Sequence, residues 1–385
     1  MAEAKSFNVG IIGYGLSAKV FHIPFVTTTP AFTLHSILQR RPTPESSAPS
    51  DHPSIQHFAS LDDFLADPAL DVVIVTTPPE THFPFTRQAL EAGKHVLVEK
   101  PFVPSSGEAA TLAALARDKG RLLCVYQNRR WDSDFLTVRQ LLADGVLGRI
   151  VEVDTHFDRY RPAKPAAAAG AASTWKASLE LERGGTAVYD LGAHLVDQAY
   201  ALFGAPRSVF AKFLSQRDGV TSGSLLNKDS RSLDIDSVAA HLYYESGLIV
   251  NVRIGVISAE ARQPRFWVRG SRGSYRKTGL DPQEGQLRTP GGPRPGDARY
   301  GYEEPQAAGR LAVVGADGAT IEEREHPTAE PQTYGKIYEL FGEALRSGKE
   351  ADVPVPASQA RDVLRIIEAM KESAKSSREV EVQLE

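Results

Sequence analysis

Apolar and polar positions follow two regimes along the chain. In the first third, short apolar runs alternate with longer amphipathic stretches. The runs at Val9–Ile12, Phe32–Leu38, Asp71–Thr76, His95–Val98 and Leu122–Tyr126 read as buried strands. Between them the pattern predicts a helix after the first strand and another near Leu61–Leu65. It predicts two more, over about Thr81–Ala92 ended by Gly93 and over about Ser105–Lys119 ended by Gly120, glycine being the residue a left-handed helix end favours. Pro42 to Pro53, dense in Pro and Ser, reads as a loop. Strands alternating with helices over short connections imply a Rossmann-type, doubly wound parallel sheet with helices on both faces.

The pattern changes after about Asn128. A helix over Phe135–Leu142 precedes a long strand, Arg149–Phe157, and a Pro/Ala/Gly segment from Pro162 to Ala172 offers little core. A helix is predicted over Thr186–Phe203. Strands follow near Ser208–Phe213, Asp236–Tyr244, Leu248–Val256, Arg265–Arg269 and Gly273–Lys277, with a hairpin about Glu245-Ser-Gly247. Successive strands with tight turns predict a C-terminal α/β domain built on a large, mainly antiparallel open sheet. Asp281–Gly309, rich in Pro and Gly, reads as a long surface excursion. Helices near Tyr334–Arg346 and Ser358–Ser373 complete the chain. The expected domains are 1–128 and 129–385, the final helix packing back on the first.

Composition narrows the class. With 385 residues, 42% hydrophobic and 24% charged, the chain has the make-up of a globular enzyme of two domains. A net charge of −4 provides no basic field for nucleic acid. The one cysteine, Cys124, lies in an apolar run and reads as a buried structural thiol; it rules out intrachain disulfides and Cys-clustered metal sites. No apolar run is long enough to cross a bilayer and no signal peptide is recognisable, so the cytoplasm is the expected location.

Candidate chemistry begins at the first strand–helix junction. Gly13, Gly15 and Ala18 occupy the G-x-G-x-x-A positions. Gly13 permits the tight turn, Gly15 lets backbone amides approach a pyrophosphate, and Ala18 lets the helix pack on the strand. Phosphate would then sit at a helix N-terminus, where unpaired N–H groups and the helix dipole favour negative charge. An NAD site usually carries an acid about twenty residues beyond the glycines. Here no acid occurs from Ala31 through Pro44, whereas Arg40 and Arg41 could pair with a ribose 2′-phosphate, assisted by Ser36 or Gln39. NADP is therefore favoured over NAD.

Lys100, followed by Pro101, comes at the carboxyl end of a central strand, the edge where open parallel sheets bind ligands. Such an amine could polarise a substrate oxygen, or it could simply close the strand. Asp190, His194 and Asp197 share one face of the predicted helix. Histidine suits proton transfer near neutral pH, with the aspartate orienting the ring; a capped, salt-bridged face is the plainer alternative. Asp190 and His194 lack a third ligand at suitable spacing, so no metal is expected.

Taken together, the glycine turn, Thr76-Thr-Pro-Pro79 with His82, Val98-Glu-Lys-Pro101 and the Asp190/His194 pair resemble, in order and spacing, the Gfo/Idh/MocA oxidoreductases across nearly the whole chain. Tyr126–Asp132 and His156–Arg161 resemble the branch containing the NADP-dependent scyllo-inositol dehydrogenases. The resemblance implies that Gly13, Gly15, Leu16 and Ala18 cradle the pyrophosphate, and that Thr76, Pro78 and His82 line the adenosine and ribose side. It implies that Glu99 and Lys100 lie beside the nicotinamide, with Lys100–Pro101 often cis, and that Lys100, Asp190 and His194 form the catalytic trio. Asn128 and Trp175 would contact cofactor, with Lys176 replacing an arginine, while Arg129 and Arg159 would contact substrate. The implied reaction is hydride exchange between NADP(H) and a sugar or polyol, by a homodimer or homotetramer assembled through the C-terminal sheet. It requires the Lys100 amine and the His194 imidazole to meet on one nicotinamide face. A dinucleotide-sensing regulatory protein and a reductase of non-sugar carbonyls are the alternatives.

Overall fold

The computed structural model describes residues 6–163, 179–221 and 234–384. The chain divides into two compact units. The first comprises Met1–Trp131, Gln283–Gly301 and Gln332–Arg361; the second comprises Asp132–Pro282, Tyr302–Pro331 and Asp362–Glu385.

The first unit is a six-stranded parallel sheet made of β1 (Phe7–Ile12), β2 (Phe32–Leu38), β3 (Gln56–Phe58), β4 (Val72–Val75), β5 (His95–Val98) and β6 (Leu123–Val125). Their order is β3-β2-β1-β4-β5-β6, so strand order reverses between β1 and β4. β4 and β6 are buried throughout, as expected when helices cover both faces of a parallel sheet. The apolar runs that predicted these strands match them closely. β3, a short Gln-His-Phe segment, has no apolar pattern and was not predicted, and the predicted loop from Pro42 to Pro53 contains a short helix, Ala48–Asp51.

The second unit carries a mixed, mostly antiparallel sheet. Its strands are β7 (Ile150–Asp158), β8 (Ser208–Ser215), β9 (Val220–Thr221), β10 (Ser237–Tyr243), β11 (Ile249–Gly255), β12 (Pro264–Gly270), β13 (Gly273–Thr278), β14 (Gly309–Val314), β15 (Ile321–His326) and β16 (Val380–Glu381). The main path runs β15-β14-β13-β12-β7-β11-β10-β8-β16, with only β7 and β11 parallel. Along β7, Val153, Thr155 and Phe157 are buried while Glu152, Asp154 and His156 take the opposite face, the period-two pattern of a sheet with one packed side. β10 and β11 form the predicted hairpin, with Gly247 at φ 79°. β14 and β15 went unread because β15, Ile-Glu-Glu-Arg-Glu-His, is almost wholly exposed and lacks alternation.

Two expectations are corrected. Asp281–Gly309 is not a bare excursion: it contains the helix Gln283–Arg288, and residues 283–301 belong to the first unit. Gln283 is fully buried, accepting from the Tyr334 amide at 2.7 Å and donating to the Trp131 carbonyl at 3.2 Å. The domain division is also discontinuous. The helix Gly335–Ser347 belongs wholly to the first unit, its Tyr338 stacked on Phe25 with ring centroids 5.6 Å apart. The start of the final helix, through Arg361, also belongs there, with Gln359 accepting from Arg130 at 2.7 Å. Most of the final helix, Ala357–Ser376, joins the second unit, where the Ser373 hydroxyl accepts from the Ala211 amide of β8 at 2.9 Å.

Candidate functional site

In the first unit the candidate residues gather at the carboxyl ends of β1, β4 and β5, around the point where strand order reverses. Gly13 follows β1 with φ 99°, a conformation that disfavours side chains, and a Cβ there would come within 3.0 Å of the Thr76 hydroxyl. A Cβ on Gly15 would meet nothing within 4 Å, so the turn opens onto space, and Leu16 beside it is 58% exposed. Ala18 is completely buried against the sheet. This arrangement fits a dinucleotide pyrophosphate: the backbone of the turn is accessible and lies at the switch point of the sheet. Thr76 donates to the Ile12 carbonyl at 2.9 Å, holding the end of β4 against the glycine turn.

Other candidates are placed differently from expectation. His82 is enclosed by protein groups. It is buried, with Nδ1 2.9 Å from the Pro101 carbonyl and Nε2 2.7 Å from the Thr77 carbonyl, and so straps the loop after β4 to the loop after β5. Burial draws its pKa below the ordinary histidine value, opposed by these carbonyls and by the charge of Glu99. Pro78 immediately precedes the helical turn Pro79–Thr81. Ser36 lies wholly buried within β2, its hydroxyl without a hydrogen-bond partner, and offers no surface to a ribose. Arg40 and Arg41 are exposed just beyond β2. The loop they begin is anchored by Gln39, which donates to the Ser46 carbonyl at 2.7 Å and accepts from the Ala48 amide at 2.7 Å. Asn128 and Arg129 are buried, and the Arg129 guanidinium bonds Glu284 of the helix Gln283–Arg288 rather than standing open to a substrate. Trp175 and Lys176 lie outside the described residues. Cys124 is buried, its thiol pushed up to about 12 by burial, against the opposing effects of a Val355 hydrogen bond and the Arg130 charge; the structural reading stands.

Glu99 and Lys100 follow β5, with the Lys100–Pro101 peptide cis. The Glu99 carboxylate accepts from the Ser17 hydroxyl, from His22 Nε2 at 3.0 Å and from the Lys100 amide at 2.9 Å. Ser17 belongs to the glycine turn, so one carboxylate links the phosphate turn to the strand end that bears Lys100.

In the second unit, Gly184 (φ 82°), Gly185 and Thr186 (φ 68°) lead into a π turn, Val188–Gly192, which continues as the α-helix Ala193–Phe203. A Cβ on Gly185 would lie 2.0 Å from the Leu179 carbonyl, so only glycine fits. Asp190 sits within the π turn, and His194 and Asp197 lie on the α-helix that continues it. Asp190 is half-buried, His194 is 5% exposed and Asp197 lies deeper. The His194 ring is 6.2 Å from that of Phe157 in β7, and the Arg159 guanidinium sits 4.8 Å over the Phe157 ring, so Arg159 and His194 share a neighbourhood. Beneath them, Arg265 is 1% exposed. It donates to Asp134 at 2.7 Å, to Gln198 on the His194 helix at 2.8 Å and to the His156 carbonyl at 3.1 Å. Sequence reading passed over Arg265, since an arginine at the start of a strand carries no sign of burial.

A turn open to phosphate at the switch point of a 3-2-1-4-5-6 sheet defines a dinucleotide-binding protein of the Rossmann class, here with a second sheet-based unit. Residues 7–127 match the GFO_IDH_MocA profile, described as an oxidoreductase family with NAD-binding Rossmann fold, and residues 135–276 match the GFO/IDH/MocA C-terminal domain. The chain belongs to the Gfo/Idh/MocA oxidoreductase family. The uncharacterized oxidoreductase YdgJ of Escherichia coli is 38% identical over 377 residues, 97% of each chain. The scyllo-inositol 2-dehydrogenase (NADP(+)) IolW of Bacillus subtilis is 35% identical over 382 residues, 98% of this chain and 96% of that protein. The solved structure of the putative oxidoreductase yvaA from Bacillus subtilis superposes with a TM-score of 0.85 at 33% identity, covering 98% of this chain and 100% of that one.

Proposed function

We propose that this enzyme interconverts a CH–OH group and a carbonyl on a sugar or polyol of the inositol or aldose type, with NADP(H) as redox partner. The bound nicotinamide supplies the hydride acceptor or donor. Gly13, Gly15 and Leu16 hold the pyrophosphate through backbone amides at the turn. Arg40 and Arg41 hold the 2′-phosphate; they are exposed at the head of an anchored loop, and no acid from Ala31 through Pro44 competes for a ribose hydroxyl. The name of IolW, which carries NADP, supports the same choice.

The chain's own residues divide the remaining work. His194 takes the substrate hydroxyl proton at a ring nitrogen and returns it in the reverse direction, and Asp190 orients that ring or the substrate. Lys100 stabilises negative charge on the substrate oxygen as the proton leaves. Arg159, stacked on Phe157 beside His194, contacts substrate hydroxyls. The open sheet forms the oligomer surface, where Trp267 of β12 lies between Arg269 and Arg276 at 4.8 and 4.4 Å.

The observation that carries the reading is the tie from Ser17 through Glu99 to the Lys100 backbone amide, which fastens the strand end that bears Lys100 to the glycine turn. The test is turnover of a polyol panel followed by nicotinamide absorbance. Lys100→Met and His194→Ala should each lower kcat by about 10²–10⁴-fold. Full turnover by either variant would remove the assignment. Arg40→Ala/Arg41→Ala should weaken NADP binding by more than about tenfold while sparing NAD.

A further inference from the structure

The Phe21-His22-Ile23-Pro24 segment closes the first helical turn after the glycines, and none of the roles above uses it. His22 is the last residue of a π turn, Ala18–His22, and is 0% exposed. A buried imidazole needs partners on both nitrogens. Here Nε2 lies 3.0 Å from Glu99 Oε1, and Nδ1 lies 2.8 Å from the Tyr338 hydroxyl. The Glu99 carboxylate can only accept, so Nε2 donates to it, while the Tyr338 hydroxyl bridges His22 Nδ1 and the Phe21 carbonyl at 3.0 Å, which Tyr126 also reaches at 2.9 Å.

We propose that His22 is a positioning residue for the reaction: it holds the Glu99 carboxylate in the one arrangement that fastens the phosphate turn, through Ser17, to the backbone of Lys100. The inference rests on the function proposed above and adds to it a residue that touches neither cofactor nor substrate. His22 reaches Glu99 from the helix side, Ser17 from the glycine turn and the Lys100 amide from the strand end, so the carboxylate has three donors from three segments. The titratable groups around it are His22, Lys100, His82, Tyr126 and Tyr338. Burial by itself would raise the Glu99 carboxyl. His22, by hydrogen bond and charge, then Ser17 and Lys100, bring it down to about 2, so it is ionised throughout the working pH range. A histidine that merely filled space would leave this ionisation alone.

The experiment is the pH dependence of NADPH binding, read by nucleotide fluorescence, alongside polyol turnover in the full-length protein. The wild type should show no acid limb attributable to Glu99. In His22→Ala the burial effect loses its largest counterweight, so an acid limb should appear at about pH 5 or above and kcat should fall roughly 30-fold. His22→Gln, whose amide can still donate to Glu99, should remove the limb and restore kcat to within about threefold. Adding His22→Ala to Glu99→Gln should cost less than about twofold more, because the two act as one unit. An unmoved pH profile in His22→Ala, or full additivity with Glu99→Gln, overturns the inference. If His22→Ala does not fold, Ser17→Ala removes a donor from the same oxygen. An acid limb in that variant supports the inference and its absence overturns it. The fluorescence arm needs no substrate, so a wild type that binds NADPH but turns over no polyol would end the proposed function while leaving this test readable.

Discussion

Two stretches of this molecule use one backbone device for different ends. In the first unit the π turn Ala18–His22 runs into the α-helix Ile23–Thr28; in the second, Val188–Gly192 runs into Ala193–Phe203. Each places a histidine at or just past the junction, where the wider turn re-aims side chains relative to an α-helix. His22 is turned inward and bonded to Glu99 and Tyr338, whereas His194, also buried, packs beside Phe157. The same local geometry thus serves as a buried support in one unit and as a candidate proton carrier in the other. What differs is the neighbour. A carboxylate and a tyrosine flank the first ring, and an aromatic with an arginine stacked on it flanks the second.

The two turns are also secured by different means, and this contrast can be broken by mutation. The second unit leans on buried charge. Arg265→Met should cost about 3–5 kcal/mol, measured as a fall in the urea midpoint, because Asp134 is left buried without its partner. Arg265→Met/Asp134→Leu should recover most of that loss. If the single variant is as stable as the wild type, the His194 helix is not anchored in this way. Gly185→Ala should cost roughly 3 kcal/mol, since a backbone carbonyl lies where the methyl would go and cannot yield as a flexible side chain could.

The first unit is held by an ionised carboxylate, so its stability should depend on acid. With the Glu99 pKa depressed from 4.5 to about 2, its contribution is present above about pH 4.5 and is lost as pH falls through about 2. That contribution is on the order of 3 kcal/mol. Urea midpoints measured between these pH values should fall more steeply in the wild type than in Glu99→Gln; parallel curves would show that the carboxylate contributes nothing to folding. The smallest effect is expected at Thr186, a β-branched residue at φ 68° ahead of the second π turn. Thr186→Gly should raise stability by about 1 kcal/mol by releasing strain, and lower kcat if that strain aims Asp190.

Much of the architecture could be read before any coordinates. The strands of the first unit are near-continuous apolar runs, and the glycine turn announces itself because φ 99° demands glycine at Gly13, with Gly15 keeping the turn open beside it. β3 was missed because it is short and β15 because it is solvated on both faces, and pairing rather than pattern makes them strands. Asp190 and His194 were found by type and spacing. Their spacing was read on an α-helix, and a π turn leaves no periodic trace that an eye for 3.6 residues would catch. His82 and Arg129 were assigned to ligand walls by resemblance, but both are engaged by protein groups that lie far away in sequence.

The sequence by itself determined the alternating strands and helices, the phosphate turn, the lack of an acid after β2 and the identities of Lys100, Asp190 and His194, because steric demand and residue chemistry act locally. Tertiary structure alone decided that Gln283–Gly301 and Gly335–Ser347 return to the first unit, that Arg265 lies buried under the His194 helix, and that His22, Ser17 and Lys100 converge on Glu99. Those outcomes depend on desolvation and hydrogen-bond satisfaction between groups distant in the chain, which no local pattern encodes.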